Sequence, residues 1–354
     1  MKPFEPDYQH VVDAAYNREP KRLPLYEHIV NIGSMEAVLG EKFGLLAAGN
    51  AADKREFFRR YTGFWRSMGY DTVSYECGIG GLINGGRSIT GKEPGPIQNR
   101  ADFERYPFDG LIERYFERYT PLFDALTDVM PAGMKLIGGV GNGVFEIAQE
   151  CVRFTELCMI KADDPALYAD LFRKIGDVMY TIWSRVLDRY GDSICVARFG
   201  DDLGFKKATL LSPDDIREHI IPQYRRIVDL VHSHGKPFLL HSCGNLLGVF
   251  DDIIREAGID AKHSNEDEIA PFSTWVNNYG KRIGNFGGVD LNVLVLKSEP
   301  EIQAYVRNTL TLAKGNGGMA IGSGNSIPEY VPAAGYLAMV NAVRDWRGDF
   351  NERT

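Results

Sequence analysis

Short apolar runs that stop at a glycine or a polar residue recur along the chain, and helical spacing fills the gaps between them. Eight runs stand out: RLPLYEHI (22–29), YDTVSYEC (70–77), MKLIGGVGN (134–142), ICVARFGDD (194–202), PFLLHSCGN (237–245), IDAKHSNE (259–266), RIGNFGGVD (282–290) and GGMAIGSGN (317–325). Runs of this kind are buried parallel strands, covered on both faces. The helices between them are signposted. SPDDIREHIIPQYRRIVDLVHSHG opens with Ser212 as N-cap, Pro213 at the first helical position and two acids in the first turn, and Gly235 closes it. Ile216, Ile220, Ile227 and Val231 form its inward stripe. DDPALYADLFRKIGDVMYTIWSRVLDRYG repeats the pattern from Asp164, and 246–257, 270–280 and 299–314 are shorter helices of the same kind. Strand then helix, eight times over, predicts an α/β fold: a single (β/α)8 TIM-type barrel with an N-terminal helical extension. Residues 1–354 then form one domain, with the barrel core at about 20–346. An open doubly wound sheet is the competing arrangement. Residues 78–111 read as a long irregular excursion after the second strand, a lid or pocket edge.

Composition narrows the class. At 354 residues the chain suits one large barrel, and 44% hydrophobic with 25% charged residues is ordinary for a soluble protein. A net charge of −8 weighs against a nucleic-acid partner and suits a cytoplasmic chain. No apolar run approaches the roughly 20 residues that span a bilayer, so no membrane association is expected. The acids and prolines of MKPFEPDYQHVVDAAYNREPKRLP do not read as a signal peptide. Five scattered cysteines suggest a reducing compartment rather than a disulfide framework. A homodimer is compatible with all of this.

Barrels of this type carry their chemistry at the C-terminal ends of the strands. The polar residues there are Glu27 and His28, Glu76 and Cys77, Asn142, Asp201 and Asp202, His241 and Cys243, His263 and Glu266, Asp290, and Ser323 and Asn325. HSCG is the most specific motif among them. Residues i and i+2 of a strand point the same way, so His241 and Cys243 can grip one ion. A nitrogen with a thiolate suits zinc. The bland alternative is a buried cysteine beside a satisfied histidine. Glu76, Asp201 and Asp202 are candidate catalytic acids, and of two adjacent acids on a strand at most one enters the pocket. Glu27, His28, Asn142, Asp290, Ser323 and Asn325 are candidate substrate contacts. GGVGNG (138–143) lacks the lysine of a phosphate loop and the dinucleotide spacing.

HSCGN, the preceding VDLVHSHGKPFLLH and the late GSGNSIPEYVP together resemble the uroporphyrinogen decarboxylase superfamily, which includes methyltransferases of corrinoid-dependent methyl metabolism. The resemblance spans about residues 8–346 and is strongest from Asp201 onward. It implies a (β/α)8 barrel. The decarboxylase branch implies an arginine-rich exit from strand one, where this chain has YEHIVNIG (26–33), and an aspartate after strand two, where it has Glu76 and Cys77. It also implies a tyrosine where this chain reads GVFEIAQE, and a histidine where it has Ser323. The methyltransferase branch implies zinc on an HxC pair and a later cysteine; His241 and Cys243 match the pair, and Ser323 stands at the cysteine. A neutral serine is a poor zinc ligand, so a replacement is expected. Glu266 is the first choice, at a spacing similar to that of a glutamate in cobalamin-independent methionine synthases; Cys77 is second and His263 third. The resemblance thus implies a zinc-dependent methyltransferase acting on a small-molecule methyl donor or acceptor. Cobalamin would be carried only by a separate corrinoid protein. The alternatives are decarboxylation of uroporphyrinogen or of a smaller acid, and a non-catalytic ligand-binding barrel.

Overall fold

In a computed structural model of the chain, residues 4–83, 94–313 and 315–350 are described. Seven parallel strands form one curled sheet in consecutive order: β1 (Thr72–Gly78), β2 (Lys135–Gly141), β3 (Ile194–Gly200), β4 (Phe238–His241), β5 (Ala261–His263), β6 (Gly284–Val289) and β7 (Met319–Ser323). Helices surround it, an arrangement consistent with a TIM-type barrel. The expected first strand is a correction. Residues 22–29 run beside β7 but make only isolated bridges, Leu25 with Ile321 and, further on, Val30 with Ile327. Tyr26 N donates to Ile321 O and Ile321 N to Pro24 O, each at 3.0 Å. Toward β1 the Ser74 hydroxyl donates to His28 O, and among the described residues no backbone hydrogen bond joins the two segments. Pro24 has no N–H to extend a ladder.

Strand alternation sorts the side chains into two cores. Val196, Leu239, Ala261, Phe286 and Ala320 point inward and pack with Tyr26 and Ile137. Phe238, Leu240, Ile321 and Val289 point outward into the larger core beneath the helices. The lower end of the sheet is closed by the N-terminal helix Gln9–Ala15, whose Val11, Ala14 and Ala15 belong to the inner core. Gly284 and Gly318, at the starts of β6 and β7, lie so close to Ala14 O that a methyl on either would overlap it.

The helix expected after β3 runs through Pro213–Asp215, a π turn at Ile216–Ile220 and Ile221–Ser233, with Ser212 Oγ accepting from Asp215 N at 3.2 Å. The expected lid is partly corrected. Residues 84–93 lie outside the described residues, but helix Arg100–Arg105 and the start of helix Phe108–Asp128 order its second half. Ile97 is fully buried, and its N–H reaches Cys151 O at 3.0 Å.

Asp201 is also a correction. Its buried carboxylate accepts from Phe145 N at 3.0 Å, Glu146 N at 2.8 Å and the Tyr224 hydroxyl at 2.6 Å, so it caps helix Val144–Val152 instead of entering the pocket. Asp201→Ala removes the cap and strands a buried hydroxyl. It should cost about 2–4 kcal/mol of folding stability in urea denaturation. A loss under about 0.5 kcal/mol, typical of a plain surface site, refutes that assignment.

Candidate active site

The exits of β3 and β4 are fastened together along their backbones. Asp201 N donates to His241 O at 2.9 Å, Gly204 N to Cys243 O at 3.1 Å and Asn245 N to Phe205 O at 2.8 Å. Ser242 Oγ donates to Asp201 O at 2.6 Å and accepts from Leu203 N at 3.2 Å. Gly244 sits at φ +87°, and a methyl on it would overlap the Gly204 backbone, so the contact requires glycine. This docking carries Asp202 to Cys243. Cys243 N donates to Asp202 Oδ1 at 2.9 Å, and the same oxygen lies 3.7 Å from His241 Nε2. His241 Nε2 is 3.4 Å from Cys243 Sγ. The ligand atoms of Asp202, His241 and Cys243 all lie within 4.8 Å of one another.

A second group, His28, His241 and His263, is buried just inside the first. The His28 ring stacks on His241 with centroids 3.8 Å apart and planes 11° apart. His241 Nδ1 lies 2.8 Å from His263 Nδ1, and His263 Nε2 lies 2.9 Å from Ser323 O. Burial holds all three imidazoles in the neutral form: it pushes His263 down to about 3, and His28 and His241 well below the usual range. Cys243 Sγ also accepts from Asn325 Nδ2 at 3.3 Å and Ser264 Oγ at 3.6 Å. Burial, reinforced by the Asp202 carboxylate, pushes its thiol well above the ordinary range.

These residues fit a zinc ion. With Zn–N and Zn–O near 2.0–2.1 Å and Zn–S near 2.3 Å, tetrahedral ligation sets N and S about 3.6 Å apart and N and O about 3.4 Å apart. The separations of 3.4 and 3.7 Å are of that size. A carboxylate beside a thiol whose ionisation it opposes is a pairing that a cation would turn from repulsive to favourable.

The other expected site residues divide. Glu76 points inward, where Arg198 Nε and Nη2 reach its Oε2 at 3.1 and 2.9 Å, and its Oε1 is 4.0 Å from His28 Nε2. Asn142, at φ +63°, accepts from Gly80 N at 3.0 Å and donates to Glu146 Oε2 at 2.8 Å. Cys77 is a correction: next to inward Glu76 it must face outward, and it lies in the helix-side core near Tyr75 and Tyr115. Glu27 and Ser323 are corrected for the same reason. Both turn to the helix side, where the Ser323 hydroxyl meets Glu27 and Asn325 O and Glu27 meets Tyr70. Asp290 caps helix Leu291–Leu296 through Asn292 N and also accepts from Asp267 N, each at 2.7 Å. Half-buried Glu266 joins neither ligand group. His263 belongs to the inner group. Arg198 and Glu146 were not anticipated. An arginine inside the apolar run ICVARFG, in phase with inward Val196, was the available signal for the first; Glu146 carried none beyond its place in the first helical turn after GNG.

The family model for uroporphyrinogen decarboxylase (URO-D) matches residues 89–346, and the chain belongs to that family. No curated protein matches the chain in sequence. Among solved structures, a methyltransferase from Methanosarcina mazei is similar with a TM-score of 0.76 at 15% identity, covering 97% of this chain and 99% of that one. A putative vitamin-B12 independent methionine synthase from Listeria monocytogenes is similar with a TM-score of 0.52 at 11% identity, covering 96% and 98%. At these identities the likeness shows the fold alone.

Glu27 yields a test of the corrected placement. Burial raises its pKa from 4.5 to about 8. The folded chain therefore keeps a proton that the unfolded chain releases. The stability linked to it is present below pH 4.5 and is lost as pH rises to about 8. Between pH 5 and 8.5 the parent should lose more stability in urea than Glu27→Gln does. Parallel profiles show an ordinary, solvated carboxylate instead.

Proposed function

We propose that this chain is a metal-dependent methyltransferase, with zinc held by Asp202, His241 and Cys243. The observation that carries the reading is the convergence of a carboxylate oxygen, an imidazole nitrogen and a thiol sulfur within 4.8 Å at the strand exits. Zinc bound there would supply a Lewis acid to a small-molecule methyl donor or acceptor. Asn325 and Ser264 orient the Cys243 sulfur through their hydrogen bonds. Glu76 and Glu146 give the pocket wall an acidic lining. The methyl group's other station is cobalamin on a separate corrinoid protein.

The same lining weighs against a polycarboxylate substrate. The inward Arg198 is fully buried, and its guanidinium is engaged by Glu76, by Tyr26 at 3.1 Å and by Ser74 at 2.7 Å. That guanidinium is therefore not free to meet a propionate. Purified protein incubated with uroporphyrinogen should form no coproporphyrinogen above the enzyme-free control. Formation above control refutes the methyltransferase ranking.

Zinc content per chain after dialysis against a mild chelator tests the ligand set. Cys243→Ala should lose nearly all metal, and Asp202→Ala should bind roughly 10- to 100-fold more weakly. Glu266→Ala should stay within about threefold of the parent, since Glu266 lies outside the ligand groups. Loss in Glu266→Ala with retention in Asp202→Ala makes Glu266 the third ligand. Full retention in Cys243→Ala removes the site altogether.

A further inference from the structure

We infer that His263 is a positioning residue: with the Ser323 carbonyl it fixes the tautomer of His241, so that the Nε2 lone pair faces Cys243 and Asp202. This rests on the metal reading above for its purpose, though not for its geometry. Ser323 O can only accept a hydrogen bond, so the ring nitrogen 2.9 Å away, His263 Nε2, carries a hydrogen. A neutral imidazole has one hydrogen, so His263 Nδ1 is bare and can only accept. The nitrogen 2.8 Å from it, His241 Nδ1, must then be the donor. That places the single hydrogen of neutral His241 on Nδ1 and leaves Nε2 with its lone pair. Nε2 is the nitrogen 3.4 Å from Cys243 Sγ and 3.7 Å from Asp202 Oδ1.

The surroundings prevent the relay from running in another sense. A ring flip of His263 would set Cδ2 against His241 Nδ1 and Cε1 against Ser323 O, and both hydrogen bonds would be lost. Tyr26 meets the His263 ring edge-on, with centroids 5.0 Å apart and planes at 77°. His28 lies flat against His241 and fixes its plane. Among the described residues no carboxylate hydrogen-bonds to His263, so its buried ring lacks the counter-charge of an imidazolium, the one form that would reverse the relay by donating from Nδ1. Position 323 thus serves the site through its backbone, and its hydroxyl is taken by Glu27 and Asn325.

The direct test is a two-bond proton–nitrogen correlation spectrum of the metal-free full chain labelled with nitrogen-15 in histidine. His241 should appear protonated on Nδ1 and His263 on Nε2. Protonation of His241 on Nε2 overturns the inference. Two variants, titrated with zinc against a chelator of known affinity, test its consequence. His263→Asn keeps an acceptor oxygen near the position of Nδ1 and should hold zinc within about threefold of the parent. His263→Leu removes the acceptor, should mix the His241 tautomers and should weaken zinc roughly 10- to 100-fold. Equal zinc affinity in the two variants overturns the relay and leaves the metal reading intact. The expected tautomers in a parent that binds no zinc support the relay and overturn the metal reading.

Discussion

The site depends on a backbone contact between two glycines. Gly204 and Gly244 bring the β3 and β4 exits together closely enough that each chain's amides bond to the other's carbonyls. No side chain could do this at comparable range, because any Cβ on Gly244 would force the loops apart. Asp202 belongs to one loop and Cys243 to the other, so their meeting depends on this contact. The two adjacent aspartates then take separate tasks by parity: Asp201 turns down to cap a helix, and Asp202 turns up to the Cys243 N–H, beside the sulfur.

Much of the fold was legible because parallel strands buried on both faces leave uninterrupted apolar runs. Seven of the eight runs are strands. The run at 22–29 misled because its composition is strand-like while Pro24 denies it a ladder, a matter of hydrogen-bonding capacity that hydropathy does not register. The site was legible to the level of strand exits and not to the level of faces. The residues named as candidates do stand at those exits, yet Cys77, Glu27 and Ser323 look the wrong way. A one-residue phase decides this, and the run boundaries alone left that phase open. The approach of Asp202 to the His241 and Cys243 pair was missed for another reason. Glu266 was favoured by spacing along the chain, whereas Asp202 arrives through a loop contact between two strand exits, which no spacing encodes.

The interior shows how an acidic pocket is kept folded. Glu76 is matched by Arg198, itself anchored to Tyr26 and Ser74, so one buried cation on β3 is shared among three partners, two on β1 and one in the segment before it. Such a pair is costly to desolvate and costly to break, and it commits that arginine to architecture. The neutral histidines above it add polar atoms without adding charge.

The helix Gln9–Ala15 stoppers the lower end of the barrel and packs against the first residues of β6 and β7. Among the described residues the base is stoppered, so a molecule bound for the histidine layer comes over the strand exits. On the proposed methyl transfer, two reactants too large to share that opening would take turns, and the group passed between them would wait where Asp202, His241 and Cys243 meet.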